Sequence, residues 1–147
     1  MHCLLSEVYL RLGQIEKGLA IVASALSESE QKEASCFRAE MLRIKGELLL
    51  KAGPEDSDCA AACFTRALDL ARRQEARSLE LRAAVSLARL LQRQGQPAEA
   101  RRALADVYAW FTEGRDTPDL QEARCLLEKL GQGAASDNGL LLSSPSK

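Results

Sequence analysis

Apolar residues recur three and four positions apart along most of the chain, as in Leu79, Ala84, Val85, Leu87, Ala88 and Leu91. This spacing places them on one face of an α-helix, whereas a half-buried strand would need strict alternation. Helix-forming residues dominate, while proline and β-branched residues are sparse. The pattern therefore predicts an all-α protein.

The helical pattern occurs in three copies with the same order of elements. In each copy a first helix is closed by a glycine, and a short polar turn then leads into a second helix. The closing glycines are Gly13, Gly53 and Gly95, which lie 40 and 42 residues apart. Because glycine readily adopts a left-handed conformation, we expect each one directly after its helix. The chain is thus predicted to contain tandem helix pairs at about residues 1–30, 31–76 and 77–112.

Small residues recur at two equivalent positions in each copy. They are Ser6, Gly46 and Ala88 in the first helices, and Gly18, Ala60 and Ala100 in the second helices. Small side chains let two helices approach closely, so we expect these six residues to be buried where the helices of a pair cross. A large residue at any of them would wedge its pair apart.

This arrangement resembles the tetratricopeptide repeat, with its pattern W-x2-L-G-x2-Y followed by A-x3-F. The second copy is the clearest match, with Leu42, Gly46, Leu49, Ala60 and Phe64 at the corresponding positions. The resemblance implies a right-handed α-solenoid of about three long helix pairs, closed by a carboxy-terminal capping helix. Armadillo or HEAT repeats, whose periods are close to those found here, are the alternative.

A more specific resemblance covers about residues 38–130, with "GELLL" and "WFTEGRDTPDL" as its most specific segments. This stretch is similar to the helical-repeat region of bacterial signalling proteins in which a STAND-type ATPase is joined to an adenylate or guanylate cyclase or a transcription-factor domain. The resemblance implies a regulatory, partner-sensing role. The sequence contains neither a cyclase metal-binding carboxylate motif nor the phosphate-binding motif G-x-x-x-x-G-K-[ST]. We therefore expect a non-enzymatic module without a cofactor.

The segment "WFTEGRDTPDL" has the residue order of a helix end, a turn and a helix start. Trp110 and Phe111 are predicted to end a helix, Gly114 to form the turn, Thr117 to be the N-cap and Pro118 to occupy the first helical position. These roles explain the composition of the segment without any chemistry.

The helix that follows is predicted over residues 118–130, with one apolar face formed by Leu120, Ala123, Leu127 and Leu130. We expect this face to cover the end of the repeats and to pack over Trp110 or Phe111. Residues 131–147 are rich in glycine and serine and lack a sustained period, so they are predicted to form a disordered tail.

Composition restricts the remaining classes of function. The 20 basic and 21 acidic residues nearly cancel, so no global field attracts nucleic acid or an anionic membrane. There is no basic leader and no apolar run of about 18 residues, which predicts a cytoplasmic protein that does not span a membrane. The five cysteines are odd in number and scattered, as is typical of reduced thiols rather than of disulfides.

Catalytic and metal chemistry have few candidate residues. His2 is the only histidine, so Ser-His-Asp or Cys-His catalysis would require an active site shared between chains. Cys59 and Cys63 lie one helical turn apart but supply only two of the four ligands that zinc prefers. An enzyme with a shared site is therefore kept only as an alternative.

A basic segment raises the further alternative of an RNA-associated module. Residues 72–102 contain eight arginines against three acidic residues. The segment lacks interleaved aromatic residues and any recognisable nucleic-acid motif, which makes nucleic-acid binding the weaker interpretation.

A stripe of charged residues on the first helices is the predicted partner-binding face, formed by Glu40, Arg43, Glu47, Lys51, Arg82, Arg89, Gln92 and Arg93. Arg82, Arg89 and Arg93 are seven and four residues apart and so share a helix face. In stacked repeats such a stripe lines the concave surface that binds extended peptides, and here it predicts a protein or peptide ligand that is acidic towards the third repeat. The alternative is a set of ion pairs between repeats, in which Glu40 faces Arg82 and Glu47 faces Arg89.

Overall fold

The computed structural model describes residues 2–29, 37–111 and 117–142, and these ranges are helical with no strand. The all-α prediction is confirmed. The helices within them are α1 His2–Leu12, α2 Ile15–Ser29, α3 Phe37–Ala52, α4 Ser57–Arg73, α5 Arg77–Arg93, α6 Pro97–Tyr108 and α7 Pro118–Leu142, with a short 3-10 helix at Pro54–Asp56. None of the helices described is both long and apolar enough to cross a membrane.

The helices pack in a one-sided pattern. Each helix contacts the next one in the chain, and the odd-numbered helices also contact one another, α1 with α3, α3 with α5, and α5 with α7. Over the same residues, α2 does not contact α4, and α4 does not contact α6. The odd-numbered helices therefore form one row, which we call the odd-helix row, and their outward side chains share one surface.

The core consists mainly of alanine and leucine side chains at the helix crossings and includes the buried ring of Phe64. Its largest cluster joins α3 to α7 and includes Leu81, Ala84, Leu104 and Leu130. The six small residues picked out by the repeat pattern are all buried, as predicted. Gly46 shows the reason most clearly, because a Cβ placed there would lie 2.5 Å from Cε1 of Phe64 on α4.

Three helices, α1, α4 and α5, end in the same type of turn. Gly13 (φ 72°) and Gly95 (φ 78°) adopt the left-handed conformation predicted for them, and Glu75 (φ 55°) adopts it at the end of α4. In each turn two amides donate back into the last helical turn, as when the N–H of Ala76 donates to the carbonyl of Ala71 at 2.9 Å. The turn after α4 has a glutamate in this position, so the sequence contained no glycine to mark it.

The prediction for Gly53 is wrong. Its φ of 168° is an extended conformation, and the residue leads into the 3-10 helix rather than forming a left-handed turn. The physical reason is Pro54, whose ring disfavours helical backbone at the residue before it. The connection between α3 and α4 is therefore of a different type from those that follow α1, α4 and α5.

The predicted start of α7 is confirmed at Thr117 and Pro118. Pro118 is the first helical residue, and the Thr117 hydroxyl accepts a hydrogen bond from the N–H of Leu120 at 3.4 Å. The Thr117 carbonyl accepts the first bond of the helix, from the N–H of Gln121 at 3.0 Å. The predicted turn at Gly114 lies outside the described residues.

The apolar face of α7 covers the end of the helix array. Leu120, Ala123, Leu126 and Leu130 are buried in the largest core cluster, and Leu127 packs against its edge. Phe111 also packs against this cluster.

Trp110 does not end a helix, in contrast to the prediction. Its side chain is 63% exposed, and its ring contacts the guanidinium of Arg77, which lies 4.0 Å from the ring centroid. The helix α6 ends at Tyr108, and Trp110 lies in the turn beyond it, where an indole stacked on a cation is stable without burial.

The helix α7 is longer than the sequence predicts. It continues through Leu142 instead of ending near residue 130, so the predicted disordered tail is helical over residues 131–142. Once a helix is nucleated, each added residue gains a backbone hydrogen bond, and the packed first half of α7 provides that nucleus. Residues 143–147 lie outside the described ranges.

Candidate partner-binding cleft

A polar cleft of about 300 Å³ lies on the surface of the odd-helix row. It is lined by residues from α1, α3, α5 and α7, namely Glu7, Arg11, Arg43, Arg82, Val85, Ser86, Arg89, Asp119 and Glu122. Val85 and Ser86 are buried, whereas the charged side chains of α5 and α7 reach solvent. Four separate helices therefore contribute to one charged surface.

Glu40 is a buried carboxylate that binds an arginine of this cleft. It is only 7% exposed and accepts two hydrogen bonds from Arg43, at 3.0 and 2.6 Å. Burial alone would lower the pKa of Arg43, but the hydrogen bonds and charge of Glu40 outweigh it, so this pKa is raised. The guanidinium of Arg43 is therefore held charged and fixed against α3.

Arg82 connects three helices. From α5 it donates to Asp119 on α7 at 3.0 Å and to Glu40 on α3 at 3.4 Å. The hydrogen bond to Asp119 is the main cause of its raised pKa, against which partial burial acts in the opposite direction. One guanidinium thus ties α3, α5 and α7 together at the cleft.

A second ion pair joins α5 to α7, between Arg89 and Glu122. Both side chains are nearly half exposed, so the pair is screened by solvent and contributes little to stability. Asp119 and Glu122 also lie near the start of α7, where the helix dipole favours negative charge. In the structure the same carboxylates also contact the arginines of α5.

The predicted face is brought together only in part. Arg43, Arg82 and Arg89 line the cleft, with Glu40 beneath them. Four other predicted residues, Glu47, Lys51, Gln92 and Arg93, do not line it. Lys51 instead donates a hydrogen bond to the backbone carbonyl at Leu10, at 2.8 Å, and so holds the end of α1 against α3.

The alternative of ion pairs between repeats is also found in part. Glu40 pairs with Arg82 as that alternative requires, whereas Arg89 pairs with Glu122 and not with Glu47. Comparison of the three copies did not identify Asp119 and Glu122 as cleft residues, because these residues follow the third copy and have no counterpart within it. The only available signal was that Asp119 and Glu122, three residues apart, share a face of α7, just as Arg82 and Arg89, seven residues apart, share a face of α5.

The basic segment 72–102 does not form a single surface. Arg72 and Arg77 both bind the buried Glu80, at 2.8 and 2.9 Å. Arg82 and Arg89 face α7, and the exposed Arg101 and Arg102 lie on α6. The arginines of this segment therefore lie at different parts of the fold.

The charged groups of the cleft are arginines and carboxylates that pair with one another. Each cleft carboxylate, Glu7, Asp119 and Glu122, lies in an ion pair with an arginine, and no histidine lines the site. Among the residues whose side chains are described, no group of three or more His, Cys, Asp or Glu could hold a metal ion. Guanidinium groups with forked donors are suited to carboxylate or phosphate ligands.

The chain matches no family model and resembles no curated protein closely enough to count as a match.

Proposed function

We propose that this chain is a helical-repeat module that binds a protein partner through the cleft on the odd-helix row. The observation that carries the proposal is the convergence of charged side chains from α1, α3, α5 and α7 on one cleft of about 300 Å³. In stacked repeats of the tetratricopeptide type, one row of helices forms the surface that receives extended peptides. The one-sided helix contacts support such a solenoid arrangement.

The ligand chemistry follows from the arginines. Arg82 and Arg89 present guanidinium groups that are 43% and 47% exposed, and each already binds a carboxylate of α7. An acidic peptide would offer the same functional group as Asp119 and Glu122 and would compete with them. Because each new contact replaces an existing one, the gain per contact is small, and affinity requires several acidic groups along the peptide.

The biological setting of the module is inferred from the resemblance alone. Segments such as "GELLL" resemble repeats that accompany STAND-type ATPases and cyclases in bacterial signalling proteins. On this basis the module has a regulatory, partner-sensing role in the cytoplasm and performs no chemistry itself. Purified chain should then neither hydrolyse ATP nor form a cyclic nucleotide, and turnover that persists through repurification would contradict this part of the proposal.

Selection from a random peptide library displayed on phage tests the binding function directly. The wild-type chain should select peptides with clustered aspartate and glutamate, and these peptides should bind the double variant Arg82→Gln/Arg89→Gln about tenfold or more weakly. The control is Arg101→Gln/Arg102→Gln, which removes two exposed arginines of α6 outside the cleft. Equal binding to both double variants would refute the cleft as the binding surface.

A charge swap separates ligand recognition from stability. Arg89→Glu combined with Glu122→Arg keeps an ion pair between α5 and α7 but moves the positive charge to the other helix. We expect this variant to unfold at the same temperature as the wild type and to lose the selected acidic peptides. Retention of peptide binding by the swapped variant would indicate that this pair serves only the fold.

A further inference from the structure

A second pocket, of about 150 Å³, lies between the start of α3 and the second half of α4. It is lined by Arg38, Leu42, Arg66, Asp69, Leu70 and Arg73. Arg38 and Leu42 are one turn apart on α3, and the other four residues share one face of α4 because they are three or four positions apart. The pocket thus has guanidinium groups from two helices around two leucines.

The arginines of this pocket differ from those of the cleft in their pairing. Among the described residues, none of Arg38, Arg66 and Arg73 has a carboxylate within ion-pair distance, although the four arginines of the cleft, Arg11, Arg43, Arg82 and Arg89, all do. Asp69 is likewise unpaired, even though Arg66 and Arg73 flank it on its own helix. Three positive charges and one negative charge leave the pocket with a net charge of two positive units.

We propose that this pocket binds a phosphate monoester group carried by a side chain of a protein partner. A phosphorylated serine or threonine carries about −1.5 to −2 charges at pH 7 and three strong acceptor oxygens. This charge balances that of the pocket, and three guanidiniums supply enough forked donors for the three oxygens. Leu42 is buried and Leu70 is partly buried, so the pocket borders apolar surface that strengthens the electrostatic attraction.

The same features favour a phosphorylated side chain over RNA. A phosphodiester carries a single negative charge per phosphate, which leaves half of the pocket's charge unbalanced. No aromatic ring lines the pocket, whereas binding of single-stranded RNA depends on stacking of bases on such rings. The protein origin of the phosphate rests on the proposed protein-binding function, whereas the affinity of the pocket for the phosphate group does not.

The test is a titration of the full ¹⁵N-labelled chain, followed by NMR through the side-chain Nε–H signals of arginine. The probes are inorganic phosphate, O-phosphoserine, unmodified serine and a uridine hexanucleotide. We expect phosphate and phosphoserine to produce saturable shifts at Arg38, Arg66 and Arg73, with Kd values of about 1 mM. Serine should produce no shift, and the hexanucleotide should bind more weakly than phosphoserine.

Three variants make the assignment specific. Arg38→Gln and Arg73→Gln should each weaken phosphoserine binding about tenfold. Asp69→Asn should strengthen it severalfold, because it removes the only negative charge of the pocket. All three positions accept a polar residue without burying an unpaired group, and Arg101→Gln on α6 is the matched control that should leave binding unchanged.

The outcomes that overturn the proposal are equally specific. Absence of saturable shifts with phosphate and phosphoserine, or unchanged affinity in Arg38→Gln, would exclude an anion site here. Tighter binding of the hexanucleotide than of phosphoserine through the same arginines would assign the pocket to RNA instead. Because the probes are small, the titration reports on this pocket even if the cleft binds no peptide.

Discussion

Substitution of Gly46 by alanine tests the tightest helix crossing in the protein. A Cβ at this position would lie 2.5, 2.8 and 2.9 Å from three carbons of the Phe64 ring, whereas carbon atoms in contact are normally about 3.5–4.0 Å apart. The ring would have to move by about 1 Å. Phe64 is 0% exposed and packs against Ala60 and Leu90, so it has no free space to move into.

Two effects of opposite sign determine the stability of this variant. Replacing glycine by alanine inside a helix stabilises it by about 1 kcal/mol, whereas overpacking a core costs about 1–3 kcal/mol. Since the contact is severe and the ring is enclosed, we place the cost at the upper end and expect a net loss of about 1–2 kcal/mol. Thermal unfolding followed by circular dichroism should show a midpoint lower by about 3–6 °C.

Two other helical glycines provide matched controls. A Cβ at Gly131 would meet nothing within 4 Å, so Gly131→Ala should stabilise the protein by up to about 1 kcal/mol. At Gly18 the nearest atoms are the Cδ atoms of Leu48, at 2.9 and 3.1 Å, which belong to the end of a flexible side chain. The Gly18→Ala variant should therefore lie between the other two, within about 0.5 kcal/mol of the wild type.

A second-site change identifies Phe64 as the cause. In a Phe64→Leu background the ring is gone, so Gly46→Ala should be neutral or stabilising by up to about 1 kcal/mol, and the coupling energy should be about 1–3 kcal/mol. Wild-type stability of the single Gly46→Ala variant would refute the proposed crossing geometry. Equal effects of Gly46→Ala in both backgrounds would show that the cost arises elsewhere.

Three further predictions concern single residues. Glu75→Gly should stabilise the fold by about 0.5–1 kcal/mol in urea unfolding, because glutamate is strained at φ 55° and glycine is not; a destabilised variant would contradict the assigned turn. Glu80→Gln should cost about 1–3 kcal/mol in the same assay, since two arginines lose a buried carboxylate partner, and a neutral effect would show these ion pairs to be dispensable. Burial raises the pKa of Cys63, so at pH 8 iodoacetamide should modify the exposed Cys59 before it modifies Cys63, as measured by peptide mass spectrometry. Equal rates at the two cysteines would indicate local opening of α4.

The helices and their closest contacts were predictable from the sequence because they depend on local signals. Periodic apolar residues, small residues such as Ala60 at fixed positions, and the pair Thr117 and Pro118 each specify local geometry by themselves. Two turns depart from the glycine signal. The prediction for Gly53 failed because the proline one residue later overrode it. The left-handed turn at Glu75 has no glycine to mark it, since the packing of α4 against α5 holds an unfavourable residue in place.

The cleft was less predictable because it depends on pairing between helices distant in sequence. Arg82 and Arg89 could be placed on one face of α5 from their spacing, but their partners on α7 lie 37 and 33 residues away. No local pattern states which carboxylate an arginine will meet. For the same reason no local pattern showed that Trp110 is exposed and stacks on Arg77, which lies 33 positions earlier.

The one-sided contacts of the helix array also have a mechanical consequence. The odd-numbered helices touch in sequence and form a continuous spine, whereas α2, α4 and α6 touch only their chain neighbours in the described part of the protein. Rotation of one helix pair against the next is then easiest about this spine, which acts as a hinge line. The even-numbered helices would then move apart or together, because they do not contact one another. The curvature of the array can therefore change while the odd-numbered helices keep their contacts. A peptide lying across the cleft would bridge several segments of the hinge line and would therefore hold the array at one curvature.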